Sequence, residues 1–101
     1  MDIPQIERTE ARALLASGEA VFVDIRDEIS HSKGHIVPSL RLDEATLAPF
    51  IENTRKDQPI VVYCYHGMSS QLATQFLLEQ GFERVYSLIG GYTDWELDTP
   101  S

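Results

Sequence analysis

Cys64 is the only cysteine in the chain, and Tyr-His-Gly-Met-Ser-Ser follows it. A thiol acts as a nucleophile through its thiolate, so the first question is what could hold negative charge at this position. No lysine or arginine occurs between Lys56 and Arg84, which leaves side-chain cations out unless His66 protonates. Gly67 takes up a positive φ at little cost, so the chain can curl here instead of extending. A curled loop feeding a helix N-terminus turns successive backbone N–H groups toward its own centre. A sulfur at that centre meets those donors with the helix dipole behind them. Such a nest stabilises a thiolate, and equally an anionic species built on the sulfur.

A competing reading stays open at this point. Cysteine is among the residue types most often buried, and one that ends an apolar run can be inert core. The strand-end position, the glycine loop and the helix that starts straight after favour the reactive reading. His66 stands between two roles, a partner for the thiolate and a solvated loop residue. Of Ser69 and Ser70, at least one is expected to cap the helix. Asp24 and Arg26 are expected to organise turns and ion pairs more than to catalyse. His35 is expected to be a hydrogen-bonded structural residue, and Trp95 a core or capping aromatic.

The elements that must deliver these residues alternate. Residues 9–18 read as a helix with Thr9 as N-cap and Gly18 as its stop. Residues 20–25, "AVFVDI", form an apolar run of strand length. Residues 31–42 read as mostly irregular, with a short strand at 40–42. Asp43 caps a helix toward Arg55, which Pro49 is expected to break or divide in two. Residues 59–64, "PIVVYC", are the second clear strand, and 69–81 the best helix, with Gly81 at its C′ position. A third strand at 84–91 ends in a glycine pair, and "YTDWEL" closes with a helical turn. Strands apolar on both faces, alternating with helices, predict an α/β fold with a mainly parallel sheet of about four or five strands and helices on both faces. Right-handed crossovers then gather the strand-to-helix loops on one sheet edge, where Asp24, Cys64 and Ser87 should meet.

Bulk composition narrows the function. The 101 residues, 43% hydrophobic and 24% charged, suit one globular domain spanning 1–101. A net charge of −8 argues against nucleic-acid and anionic-membrane partners. No apolar run is long enough to span a bilayer, and the first residues do not read as a signal peptide, so a cytoplasmic location is expected. An anionic substrate would be repelled by the whole molecule, so backbone amides have to supply local attraction.

Three stretches resemble the rhodanese (thiosulfate sulfurtransferase) superfamily, in the form of its small single-domain GlpE-type members. They are "VDIRD" at 23–27 with "GHI" at 34–36, "CYHGMSS" at 64–70, and "GGYTDW" at 90–95. The resemblance implies a rhodanese-like fold and a double displacement that needs neither metal nor cofactor. Cys64 would take the outer sulfur of thiosulfate, or of another sulfane-sulfur donor, as a persulfide. Tyr65, His66, Gly67, Met68 and Ser69, with Ser70, would form the substrate-binding loop, the amides of Tyr65 through Ser69 cradling the persulfide. Cyanide, a small thiol or a thioredoxin-like protein would then accept the sulfur. Phosphatases and arsenate reductases on related folds carry a Cys-x5-Arg loop, but position 70 here is serine. Non-catalytic binding modules of the family have usually lost the cysteine, and a sulfur-relay role would use this same loop.

Overall fold

Apolar runs without alternation belong in a sheet covered on both faces. The computed structural model of the protein, which describes residues 3–97, contains such a sheet. In chain order its elements are β1 (Gln5–Ile6), α1 (Arg8–Ser17), β2 (Val21–Asp24), α2 (Glu28–Lys33), β3 (Leu40–Arg41), α3 (Glu44–Asn53), β4 (Ile60–Tyr63), α4 (Ser69–Glu79), β5 (Val85–Leu88) and α5 (Gly91–Leu97). The five strands lie in the order β1-β5-β4-β2-β3, and every pairing is parallel.

Strand side chains alternate between the two faces, and each face has its own core. Val61 and Tyr63 of β4 join Phe22, Leu88, Ala11 and Trp95 under α1 and α5. Ile60 and Val62 join Val23, Phe50, Leu77 and Val85 under α3 and α4. All four β4 side chains are fully buried, and each apolar one contributes about 1.5–3 kcal/mol. This explains why β4 can end abruptly and still hold Cys64 in a fixed place. Trp95 meets Phe22 edge-on, with ring centres 6.1 Å apart, as a core aromatic.

Four local expectations need correction. Thr9 is not an N-cap: the chain leaves β1 and enters α1 directly, so Glu7 takes the cap position and Thr9 lies inside the helix. Residues 28–33 form α2, capped by the Asp27 side chain on the Ser30 N–H; none of its residues is buried, so no apolar periodicity marks it. Pro49 neither breaks nor divides α3. It faces solvent, while the Asp43–Thr46 capping box and buried Phe50 hold the helix on either side. The start of α4 is not serine-capped either; Met68 occupies the cap position and makes no side-chain cap bond. At the other end of α4, Gly81 has φ +101, and Phe82 N–H reaches Leu77 O while Gly81 N–H reaches Leu78 O. That is a Schellman stop with glycine at C′, as the sequence suggested.

Candidate active site

Tyr63 ends β4 and Cys64 begins the turn out of the sheet. Gly67 adopts φ +88 and packs so closely that an added Cβ would lie 3.0 Å from Leu88 O and 3.1 Å from Gly90 N. Only glycine combines that backbone angle with that approach. The loop therefore folds back over β5, and its amides turn to the sulfur. Gly67 N–H lies 3.1 Å from Cys64 Sγ and Ser70 N–H 3.3 Å. Ser70 Oγ lies 3.4 Å from the same sulfur. The sulfur thus takes an N–H of the first turn of α4, which is why that helix needs no serine cap.

The opposite side of the loop is held as firmly. Tyr92 N–H donates to Cys64 O at 2.8 Å and Thr93 N–H to Tyr65 O at 3.0 Å. The first turn of α5 has free N–H groups to give, and spending them on these carbonyls leaves the loop's own N–H groups facing the sulfur. The glycine pair permits this approach. Gly91 has φ +60, and a Cβ there would collide with the carbonyl oxygens of Cys64 and Tyr65.

These contacts favour the charged form of the thiol. Burial alone pushes the Cys64 thiol up. The Ser70 hydroxyl and the amides of Ser70, Gly67 and His66 outweigh burial and hold it below its ordinary value. The positive potential comes from dipoles, in a chain of net charge −8.

Cys64 lies at the base of a recess of about 330 Å³ with Ile25, Arg26, Asp27, Tyr65, His66, Met68 and Ser69. Tyr65, His66, Met68 and Ser69 are exposed, whereas Cys64, Gly67 and Ser70 are buried. All seven residues of the sequence-predicted loop are therefore close together, but the amides nearest the sulfur are those of His66, Gly67 and Ser70. The Ser70 amide lies outside the 65–69 range expected to form the cradle.

Arg26 reaches this edge yet is fully engaged. Its guanidinium binds both oxygens of Asp24, with Nη2 to Oδ2 at 2.7 Å, and donates to Gly34 O at 2.7 Å. It also lies over the rings of Tyr92 and Tyr65, at 4.3 and 5.0 Å. Asp24 accepts a further bond from His31 Nδ1 at 2.9 Å. Burial pushes the Asp24 carboxyl up, but the Arg26 and His31 hydrogen bonds prevail and hold it below its ordinary value. His35 donates to His31 O at 2.7 Å and stacks on His31 at 3.8 Å. These four residues brace the turn beside the sulfur. Arg41 is paired with Asp43.

Two groups beside the site differ in what the sequence shows of them: the strand-end position puts Ser87 on this edge, whereas nothing marks the backbone of Tyr92 and Thr93. The Tyr92 and Thr93 contribution is made by backbone, which residue types do not reveal. Ser87 is a buried hydroxyl inside the otherwise apolar "VYSL", a misfit in the pattern that calls for a polar partner.

A family model described as the rhodanese-like domain matches residues 7–98. A relative from Coxiella burnetii named thiosulfate sulfurtransferase GlpE is 44% identical over 97 residues, covering 96% of this chain and 91% of that protein. A relative of the same name from Pseudoalteromonas translucida is 47% identical over 96 residues, covering 95% and 91%. The solved structure of the human single-domain sulfurtransferase TSTD1 superposes with a TM-score of 0.85 at 24% identity, covering 98% of this chain and 100% of that one. At that identity the structural match speaks for the fold.

Proposed function

The chain belongs to the rhodanese-like domain family, and on that premise we propose that it moves sulfur by double displacement through a persulfide on Cys64. The protein is an enzyme, a thiosulfate sulfurtransferase. In the first half-reaction the Cys64 thiolate attacks the outer sulfur of thiosulfate. The sulfur–sulfur bond of thiosulfate breaks, its electron pair leaves with sulfite, and Cys64 keeps the outer sulfur as an anionic persulfide. In the second, cyanide or a thiol attacks that sulfur and the thiolate is regenerated. Each step moves one sulfur and one electron pair, and neither calls for a metal or an organic cofactor.

The observation that carries this reading is the convergence of Gly67 N–H, Ser70 N–H and the Ser70 hydroxyl on one buried sulfur. Donors placed where negative charge collects stabilise the thiolate and the persulfide alike. The remaining loop residues, Tyr65, His66, Met68 and Ser69, line the mouth through which donor and acceptor would arrive. A phosphate ester would need a guanidinium grip in the recess. Position 70 supplies a hydroxyl, while Arg26 and Arg41 are tied to Asp24 and Asp43.

The proposal extends to a single domain over 1–101, a cytoplasmic setting, and a small thiol or thioredoxin-like protein as the cellular acceptor. No helix among the described residues is long and apolar enough to cross a membrane.

Incubation with thiosulfate should add the mass of one sulfur atom to Cys64, and addition of cyanide should yield thiocyanate. Equal thiocyanate from the wild type and Cys64→Ser would overturn the assignment. Cys64-dependent turnover of an aryl phosphate, without sulfur transfer, would point to phosphatase chemistry instead.

A further inference from the structure

Ser87 occupies a position where strand chemistry calls for an apolar side chain. It lies in β5 between Tyr86 and Leu88, next to β4, in register with Val62, and is fully buried. A buried hydroxyl is costly unless it is hydrogen-bonded. The partner of its hydroxyl is Ser70 Oγ, 2.7 Å away and also fully buried. Ser70 Oγ in turn lies 3.4 Å from Cys64 Sγ. Three groups from β5, α4 and the end of β4 thus form one line: Ser87, Ser70, Cys64.

From this line we infer that Ser87 is a positioning residue, holding the Ser70 hydroxyl on the Cys64 sulfur through a two-hydroxyl relay that reverses when the sulfur ionises. The inference rests on Cys64 being the sulfur carrier proposed above. With the thiol protonated, S–H donates to Ser70 Oγ, and the Ser70 O–H donates to Ser87 Oγ. When the thiol proton leaves to water in the recess, both hydroxyls rotate. Ser87 O–H then donates to Ser70 Oγ, and Ser70 O–H donates to the thiolate. No bond other than S–H is broken, and each hydroxyl keeps its own proton.

Ser87 matters because Ser70 has a competing choice. A serine in a helix readily turns its hydroxyl to the carbonyl one turn back, away from the sulfur. The fixed oxygen of Ser87 opposes that turn, and a donor bonded behind Ser70 strengthens the bond Ser70 gives in front. Thr74 hydroxyl binds the Ser70 carbonyl at 2.7 Å, which fixes the same turn of α4 from below.

The test is the rate of Cys64 alkylation by iodoacetamide against pH, in wild type, Ser70→Ala, Ser87→Ala, Ser87→Thr and the Ser70→Ala/Ser87→Ala double variant. Ser87→Ala should move the midpoint to higher pH and slow alkylation at neutral pH about fivefold, the loss of roughly one hydrogen bond. Ser87→Thr should restore the wild-type profile. The double variant should match Ser70→Ala, because Ser87 acts only through Ser70. A Ser87→Ala profile that coincides with wild type overturns the inference, and so does a double variant whose shift is the sum of the two. If Ser87→Ala does not fold, the double variant, which leaves neither hydroxyl without its partner, decides by its match or mismatch with Ser70→Ala. Wild type that shows this pH behaviour but takes no sulfur from thiosulfate would overturn the proposed function and leave the relay standing.

Discussion

Tyr92 N–H and the Cys64 carbonyl oxygen are 2.8 Å apart, so the first turn of α5 holds the residue on which the proposed sulfur transfer depends. The bond requires the backbone at Gly91 to pass where any side chain would strike the carbonyls of Cys64 and Tyr65. Gly91→Ala should therefore push the loop off α5, and φ +60 adds strain for alanine. The expected cost is about 2–3 kcal/mol of stability, with at least a tenfold fall in thiocyanate formation. Thermal unfolding and the cyanide assay on one preparation check both. A variant as stable and active as wild type would show that the anchoring is dispensable.

The folded-state thiol lies below its ordinary value of 9.0. Its contribution to stability is therefore complete above pH 9.0 and is lost as pH falls through the folded-state value. Wild type should gain stability with rising pH in that window relative to Cys64→Ser. The alkylation midpoint should also lie below 9.0. Since His66 acts on the sulfur through its amide, His66→Ala should leave that midpoint in place. A midpoint raised by His66→Ala would assign the imidazole a role in holding the thiolate.

Asp24→Asn tests the brace. Arg26 would remain buried with half its partner removed, at a cost of about 3–5 kcal/mol. The Asp24 carboxyl is held below its ordinary value of 3.8, so it stabilises the fold above that pH and ceases to do so as pH falls toward its lower folded-state value. Urea unfolding of Asp24→Asn should show a shallower acid loss than wild type over that range. Parallel acid limbs in the two proteins would contradict the assignment.

Tyr63 gives the opposite limb. Burial drives its phenol up to about 12, against bonds to Ser39 and the Ile36 amide that favour ionisation. The group stabilises the fold below its ordinary value of 10.0, and that support is lost as pH rises through about 12. Tyr63→Phe should lose about 1–2 kcal/mol at neutral pH, because the buried Ile36 N–H loses its acceptor. It should also unfold less steeply in alkali. Phenolate absorbance during an alkaline titration, read beside circular dichroism, follows both.

The legible parts of this molecule are those whose signal is local. β4 is a pure apolar run, α4 ends in a glycine stop, and Cys64 lies between them, so strand, loop and helix follow from residue types. α2 buries nothing and β1 is two residues paired along β5, so neither writes a period into the chain. The buried face of α4 shows the same limit. Ser70, Thr74 and Leu77 turn inward while Leu72 is 74% and Phe76 40% exposed, so apolar character did not identify the inner face. The polar inner face is explained by the sulfur it serves. The three stretches that resemble the family are distant in sequence and meet in space: Arg26 of the first and Gly91 and Tyr92 of the third flank the loop of the second.

The anchoring by Tyr92 and Thr93 also fixes an order of events during synthesis. Translation delivers Cys64 first and these two amides later. Until they arrive, the carbonyls of Cys64 and Tyr65 lack their α5 donors, and the loop lacks one of its supports. On this order the cradle around the Cys64 sulfur is completed only when α5 docks.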